Sequence, residues 1–184
     1  VICYDRSKAQ PLSAILNDHK QIIFEAHSTD YQGTEPLSQL VADGFPILKV
    51  GPELTFVLRE ALYALDLIAT DLLPDYGNRP LYAAIEAVMV ARPENWNRHY
   101  GGGDAAQKTL RHYSLSDRIR YYWATEPAQS AVTHLFDTLR DREIPLPLIW
   151  QHLPQGDAFA GKPLAPEDVV IWRVMRALKT YQFA

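Results

Sequence analysis

The stretch IIFEAHSTDYQG, residues 22–33, decides how the fold is read. Its first half is the β-branched and aromatic run of a buried strand, and its second half breaks into polar, turn-forming residues. Between them stand Glu25 and His27, two ionisable groups on a strand that should be apolar. Side chains alternate along a strand, so Ile22, Phe24 and Ala26 share one face and Ile23, Glu25 and His27 the other. The same alternation over FPILKVG, residues 45–51, sets Leu48 and Val50 against Ile47, Lys49 and Gly51.

Helical patterns surround these two strands. QPLSAILNDH places Leu12, Ile15 and Leu16 at helical spacing. GTEPLSQLVADG predicts a short helix with Thr34 at the N-cap, Pro36 in the first turn and Gly44 as the stop. PELTFVLREALYALDLIATDLL predicts a long helix opened by Pro52, with Leu54, Leu58, Ala61, Leu62 and Leu65 as its stripe, ending at Pro74. Strands at 21–27 and 46–51 joined by a helical crossover form a βαβ unit and hence a parallel pair. Two parallel strands cannot make a sheet covered on both faces. Residues 1–74 are therefore expected to be the end of a larger sheet or barrel. A (β/α)8 barrel needs about 250 residues, more than the 184 present.

After Pro74 no strand is expected, and residues 75–184 read as a helical C-terminal extension. Its helical segments are RPLYAAIEAVMVA, PENWNRHY, DAAQKTLRHY, SLSDRIRYYW, PAQSAVTHLFDTLRD, PLPLIWQHLP and PEDVVIWRVMRALKTYQF. Ser114 with Asp117 resembles a capping box with Asp in the place of the usual Glu. The aromatics that accumulate after residue 95 read as helix-packing core.

In a barrel the wholly apolar strand faces belong under the helices. Glu25, His27 and Lys49 then face the lumen near the carboxyl ends of the strands, where barrel enzymes carry their sites. Burying Glu25 or Lys49 alone would be costly, so the two are expected to pair. The pair either fills space and fixes register or forms an anion site. Gly51 and Pro52 leave the first-turn N–H groups of the following helix free for a phosphate, and the carboxylate of Glu53 opposes this. HSTDYQG, with Ser28, adds hydroxyls and backbone donors at the preceding strand end. Arg118 and Arg120 in SDRIRYYW are candidates for a carboxylate or phosphate, or else pair with helix ends. His99, His112, His134 and His152 have no metal-like spacing. There is no G-x-x-x-x-G-K-[ST] phosphate loop and no G-x-S-x-G elbow.

Composition sets further bounds. The chain is 47% hydrophobic and 22% charged with a net charge of −4, an ordinary soluble composition without the basic stripe of a nucleic-acid binder. Cys3 is the single cysteine, which excludes an internal disulfide framework or zinc–thiolate site and fits a reducing, cytoplasmic setting. No apolar run reaches the ~18 residues of a membrane span, and no signal peptide is visible. The start VICYDRS, without an initiator methionine, reads as part of a longer protein.

FEAHSTDYQ, ILKVGPELTFVLREALYALD and YSLSDRIRYYW together resemble the Z-type subunit of tagatose-1,6-bisphosphate aldolase, the GatZ/KbaZ family, also labelled tagatose-6-phosphate kinase. The likeness is to the C-terminal part of that family and covers nearly all of the chain. It implies a TIM barrel of the class II aldolase type. In the catalytic class II aldolases the last two strands end in H-G-[AG]-S, with a zinc-binding histidine, and in K-[IV]-N-V. Here EAHS and KVGP look like their counterparts, with Glu25 where the zinc histidine would stand, His27 shifted by two, and Gly51 where the asparagine would stand. The resemblance thus implies a non-catalytic subunit with no zinc of its own. Such a subunit supports a zinc-bearing catalytic aldolase in galactitol or N-acetylgalactosamine breakdown. An oligomer, a sugar-phosphate ligand, and a partner contact by the helices from Tyr82 to Phe183, with Arg173 and Arg176, are expected with it. The alternative is a sugar-phosphate enzyme in its own right, a class II-like lyase or a kinase.

Overall fold

The computed structural model describes residues 1–182; Phe183 and Ala184, the end of the expected extension, lie outside the described residues. The chain divides into two compact units, Val1–Leu54 with Val174–Ala184, and Thr55–Arg173. The division falls inside the long helix, and the end of the last helix belongs with the first unit. The fold is of α/β type and mostly helical.

In the first unit, Asp5 caps helix α1 (Arg6–Ala14) by accepting the Ser7 N–H, and a 3-10 turn at Ile15–Asn17 follows. The helix thus begins before the apolar spacing that pointed to it. Leu12 and Ile15 are exposed, so that spacing does not mark a buried face here. Strand β1 (Glu25–Ala26) pairs in parallel with β2 (Ile47–Leu48), Glu25 opposite Ile47 and Ala26 opposite Leu48. Helix α2 (Thr34–Ala42) makes the crossover. Its N-cap is Gly33 rather than Thr34, and Gly44 ends it at φ 98°. The regular ladder is shorter than the two runs expected. The backbone turns away at Ser28, whose φ of 58° is left-handed. Ala26, Leu37, Leu40 and Phe45 form the core, with Phe24, Leu48, Tyr4 and Tyr181 packed against it. Period-2 alternation is realised in part: Phe24, Ala26 and Leu48 pack inward and Val50 is half-buried, while Ile23, Glu25, His27, Ile47 and Lys49 are exposed on the opposite face, but Ile22, expected on the covered face, is exposed as well.

Helix α3 (Pro52–Leu72) starts in the first unit and becomes the spine of the second. Its expected stripe is too narrow. Ala61 through Leu65, Ile68 and Ala69 are buried, and so are Arg59 and Asp66. Helices α4 (Pro80–Ala91), α5 (Asp104–Tyr113), α6 (Glu126–Leu139), α7 (Leu146–His152) and α8 (Pro166–Gln182) follow. PENWNRHY and SLSDRIRYYW contain 3-10 turns, at Pro93–Asn95 and Arg118–Tyr121, where helices were expected. Asp117 forms no capping box with Ser114; it stands at the N-cap of the 3-10 turn without a side-chain cap bond. It sits at φ 46° with its carboxylate turned to Thr55 and Arg59, while Ser114 closes the end of α5. Asp66 on α3 accepts the Leu81 and Tyr82 N–H groups at 3.2 and 3.1 Å. It thereby satisfies first-turn donors that α4 cannot satisfy itself. Ile68, Leu81, Ile85, Met89, Leu135, Leu139 and Ile144 are fully buried in the core of this unit, and Trp96, Tyr100 and Tyr122 complete it. Among the described residues after Pro74, the only strand-like pairing is an isolated bridge between Glu143 and Pro163.

Candidate functional site

The strand ends of the first unit gather the ionisable residues. One oxygen of Glu25 lies 2.7 Å from Lys49 Nζ and 2.5 Å from His27 Nε2. The expected pairing of Glu25 with Lys49 is therefore present, and His27 joins it across the same face. The hydrogen bond from Lys49, more than that from His27, holds the Glu25 carboxyl below the usual carboxylate range, against some desolvation. The Glu25 contact fixes the orientation of the His27 ring through Nε2. The side chains of Lys49 and His27 are 53% and 67% exposed in this chain.

The loop after β1 is built around Thr29 and Asp30, both buried. Thr29 donates its N–H and its hydroxyl to the Lys49 carbonyl at 3.2 and 3.0 Å. Asp30 accepts the N–H groups of Gly51 and Glu53 at 2.8 and 2.9 Å. These are the donors at the start of α3 that the sequence offers to a phosphate. A carboxylate of the chain itself occupies them, so an incoming anion would have to displace a buried group. Glu53 turns back to accept the Tyr31 N–H at 2.8 Å. Ser28 stands on the exposed rim of this loop. The sequence offers the Thr29 hydroxyl only among the donors of HSTDYQG and does not single out Asp30 or Tyr181; an aspartate three residues beyond the expected strand is the one local hint.

Arg118 and Arg120 are in the second unit. Arg120 donates to the carbonyls of Ser116 and Asp117 at 2.6 and 3.4 Å, the structural role of the two considered. Arg118 reaches His99 at 3.2 Å. Arg173, expected at a partner contact, is engaged by Glu60 at 2.5 Å. His112, passed over in sequence, is fully buried, stacked on Tyr82 at 3.7 Å, and bonded to Tyr63 and Glu86 at 2.6 and 3.0 Å.

Class II aldolases use zinc, and the fit here is poor. Glu25 and His27 are two donors, and the Lys49 ammonium already sits on the same carboxylate oxygen. Among the described residues no cluster of three or more His, Cys, Asp or Glu side chains is arranged to hold a metal ion. Nor is any helix among them long and apolar enough to cross a membrane.

A parallel βαβ unit with Glu25, His27 and Lys49 on one face makes this an α/β protein. The chain belongs to the D-tagatose-1,6-bisphosphate aldolase subunit GatZ/KbaZ-like family, whose model matches residues 1–184. It is 47% identical, over all of its 184 residues, to a D-tagatose 6-phosphate 4-epimerase of Agrobacterium fabrum (strain C58), of which it covers 43%. It also superposes with a TM-score of 0.92 on the crystal structure of a "probable tagatose 6 phosphate kinase" from Sinorhizobium meliloti 1021. The two are 47% identical, and the match covers 98% of this chain and 48% of that one. The chain thus spans less than half the length of these relatives.

Proposed function

We propose that the full-length protein is a sugar-phosphate enzyme that epimerises D-tagatose 6-phosphate at C4. In this reading β1 and β2 are the last two strands of a (β/α)8 barrel, and Glu25, His27 and Lys49 face its lumen. The observation that carries the reading is the Glu25–His27–Lys49 cluster at the carboxyl ends of the strands. The near relative's activity supplies the substrate. C4 of a 2-ketose is not adjacent to the carbonyl, so its C–H bond is not acidified. Inversion there without an oxidant is best achieved by breaking and re-forming C3–C4. A base takes the proton from the C4 hydroxyl, the C3–C4 bond breaks, and its electron pair becomes an enediolate on C2 and C3. The aldehyde fragment turns over, C3 attacks its other face, and the proton returns to the C4 oxygen. His27 is suited to move that proton, with Glu25 holding the imidazole, and Lys49 to offset charge on the enediolate oxygen. Such chemistry explains why an epimerase would share a family with an aldolase, since both make and break the same kind of bond.

A second reading is favoured by the family's own description as an aldolase subunit. In it the protein is non-catalytic and protects and stimulates a zinc-bearing aldolase. The exposed aromatics Tyr113, Tyr121 and Trp150 suit a contact surface. One experiment separates the two. The purified full-length protein is given D-tagatose 6-phosphate alone and the product sugar phosphate is resolved by NMR. Formation of the C4 epimer, fructose 6-phosphate, supports the epimerase. No turnover alone, with stimulation or heat protection of an added class II aldolase, supports the subunit.

A further inference from the structure

Tyr181, in the last turn of α8, lies 152 residues from the loop it touches. Its hydroxyl stands 3.0 Å from the Thr29 carbonyl and 2.9 Å from a Glu53 carboxylate oxygen. That same Glu53 oxygen accepts the Tyr31 N–H. Thr29 in turn donates twice to the Lys49 carbonyl. A continuous line of hydrogen bonds therefore runs from Tyr181 through Thr29 to the backbone of Lys49, and a branch runs through Glu53 to Tyr31. The loop needs such support. Ser28 and Tyr31 sit at φ 58° and 62°, left-handed conformations that side-chain-bearing residues keep only when their surroundings hold them there. Desolvation, and then the Glu53 contact, push the Tyr181 hydroxyl well above the ordinary tyrosine range, so it remains a donor.

We infer that Tyr181 is a positioning residue of the strand-end site: its hydroxyl fixes residues 28–33 and thereby sets where His27 and Lys49 stand. The inference rests on the reading of that cluster as the reacting site. The test uses the full-length protein carrying Tyr181→Phe, which keeps the ring in the core and removes only the hydroxyl. The expected result is a fall in kcat on D-tagatose 6-phosphate of roughly 10-fold or more, with KM changed by less than about 2-fold and Tm within about 2 °C of wild type. Glu53→Gln, which retains an acceptor oxygen, should lose less. Unchanged kcat in Tyr181→Phe overturns the inference, as does a drop confined to Tm. Hydrogen exchange over residues 28–33 gives a readout independent of turnover. It should speed up in Tyr181→Phe. If wild type does not turn the sugar over, the functional reading fails by itself, and unchanged exchange would then overturn the positioning role too.

Discussion

Arg59 and Asp117 meet at 3.3 Å with their side chains 2% and 0% exposed. The Thr55 hydroxyl donates to the second Asp117 oxygen at 2.5 Å, and Arg59 lies over the Phe56 ring at 4.0 Å. Burial pushes the Asp117 carboxyl up, while Thr55 and Arg59 pull it back. Removing one partner of such a pair leaves the other buried and uncompensated. Asp117→Ala should therefore destabilise the full-length protein by about 3 kcal/mol, and Asp117→Asn, which keeps an acceptor for Thr55, by less. Urea unfolding monitored by tryptophan fluorescence measures both.

His112 sets a pH dependence. Its fully buried ring is held down to a pKa of about 4, chiefly by desolvation and against the attraction of Glu86. The unfolded chain binds the proton near the ordinary histidine value of about 6.5. Between these values the unfolded state holds more protons, so stability falls as the solution is acidified from about 6.5 and levels off below about 4. The full difference is worth up to about 3 kcal/mol. His112→Gln should flatten the difference curve across that window. Asp117, whose carboxyl is raised, contributes with the opposite sign, so the comparison is wild type against variant, not one curve alone.

What was legible followed from short-range rules. Alternation along residues 22–27 and 45–51 was enough to put Glu25 and Lys49 on one face, where they pair in the open, and Phe24 and Leu48 on the covered side. Pro52 opens its helix in the structure as the sequence predicts, and Pro80 and Pro166 open theirs in the same way. The illegible part is non-local. Arg59 meets Asp117 across 58 positions and Tyr63 meets His112 across 49. No periodicity records such partners, and a charge on an apolar stripe reads only as an interruption of it. Tyr181 is an extreme case, its partners brought near by the last turn of the chain. Asp117 shows the converse error, a real local pattern with Ser114 that lost to a buried long-range partner.

Gly44 should be intolerant of any side chain. Its φ is +98°, and a Cβ there would come within 2.2 Å of Leu16 Cδ1. The Leu16 methyl is the far end of a flexible side chain and can move aside, so the backbone strain dominates, and Gly44→Ala should cost roughly 1–3 kcal/mol, measurable as a lowered urea midpoint with an unchanged slope. At Gly51 the φ is ordinary and the nearest atom to an added Cβ is an Asp30 oxygen at 3.9 Å, so Gly51→Ala should fold nearly as stably as wild type.

The Glu25–Lys49 contact makes the sharpest distinction between a space-filling pair and a working one. Lys49→Met removes the first cause of the lowered Glu25 carboxyl, leaving His27 as its partner. The Glu25 titration, followed by carboxyl-carbon NMR, should move upward. Both side chains are open to solvent in this chain, so stability should change little. If the pair only fixes register, turnover of the folded Lys49→Met protein stays at the wild-type level. If Lys49 offsets charge on an enediolate oxygen, kcat should fall by roughly 100-fold or more. Lys49→Arg should recover only part of that, because a planar guanidinium directs its charge differently from a compact ammonium. Wild-type kcat in Lys49→Met would remove Lys49 from the reaction while leaving the fold and the family assignment as they stand.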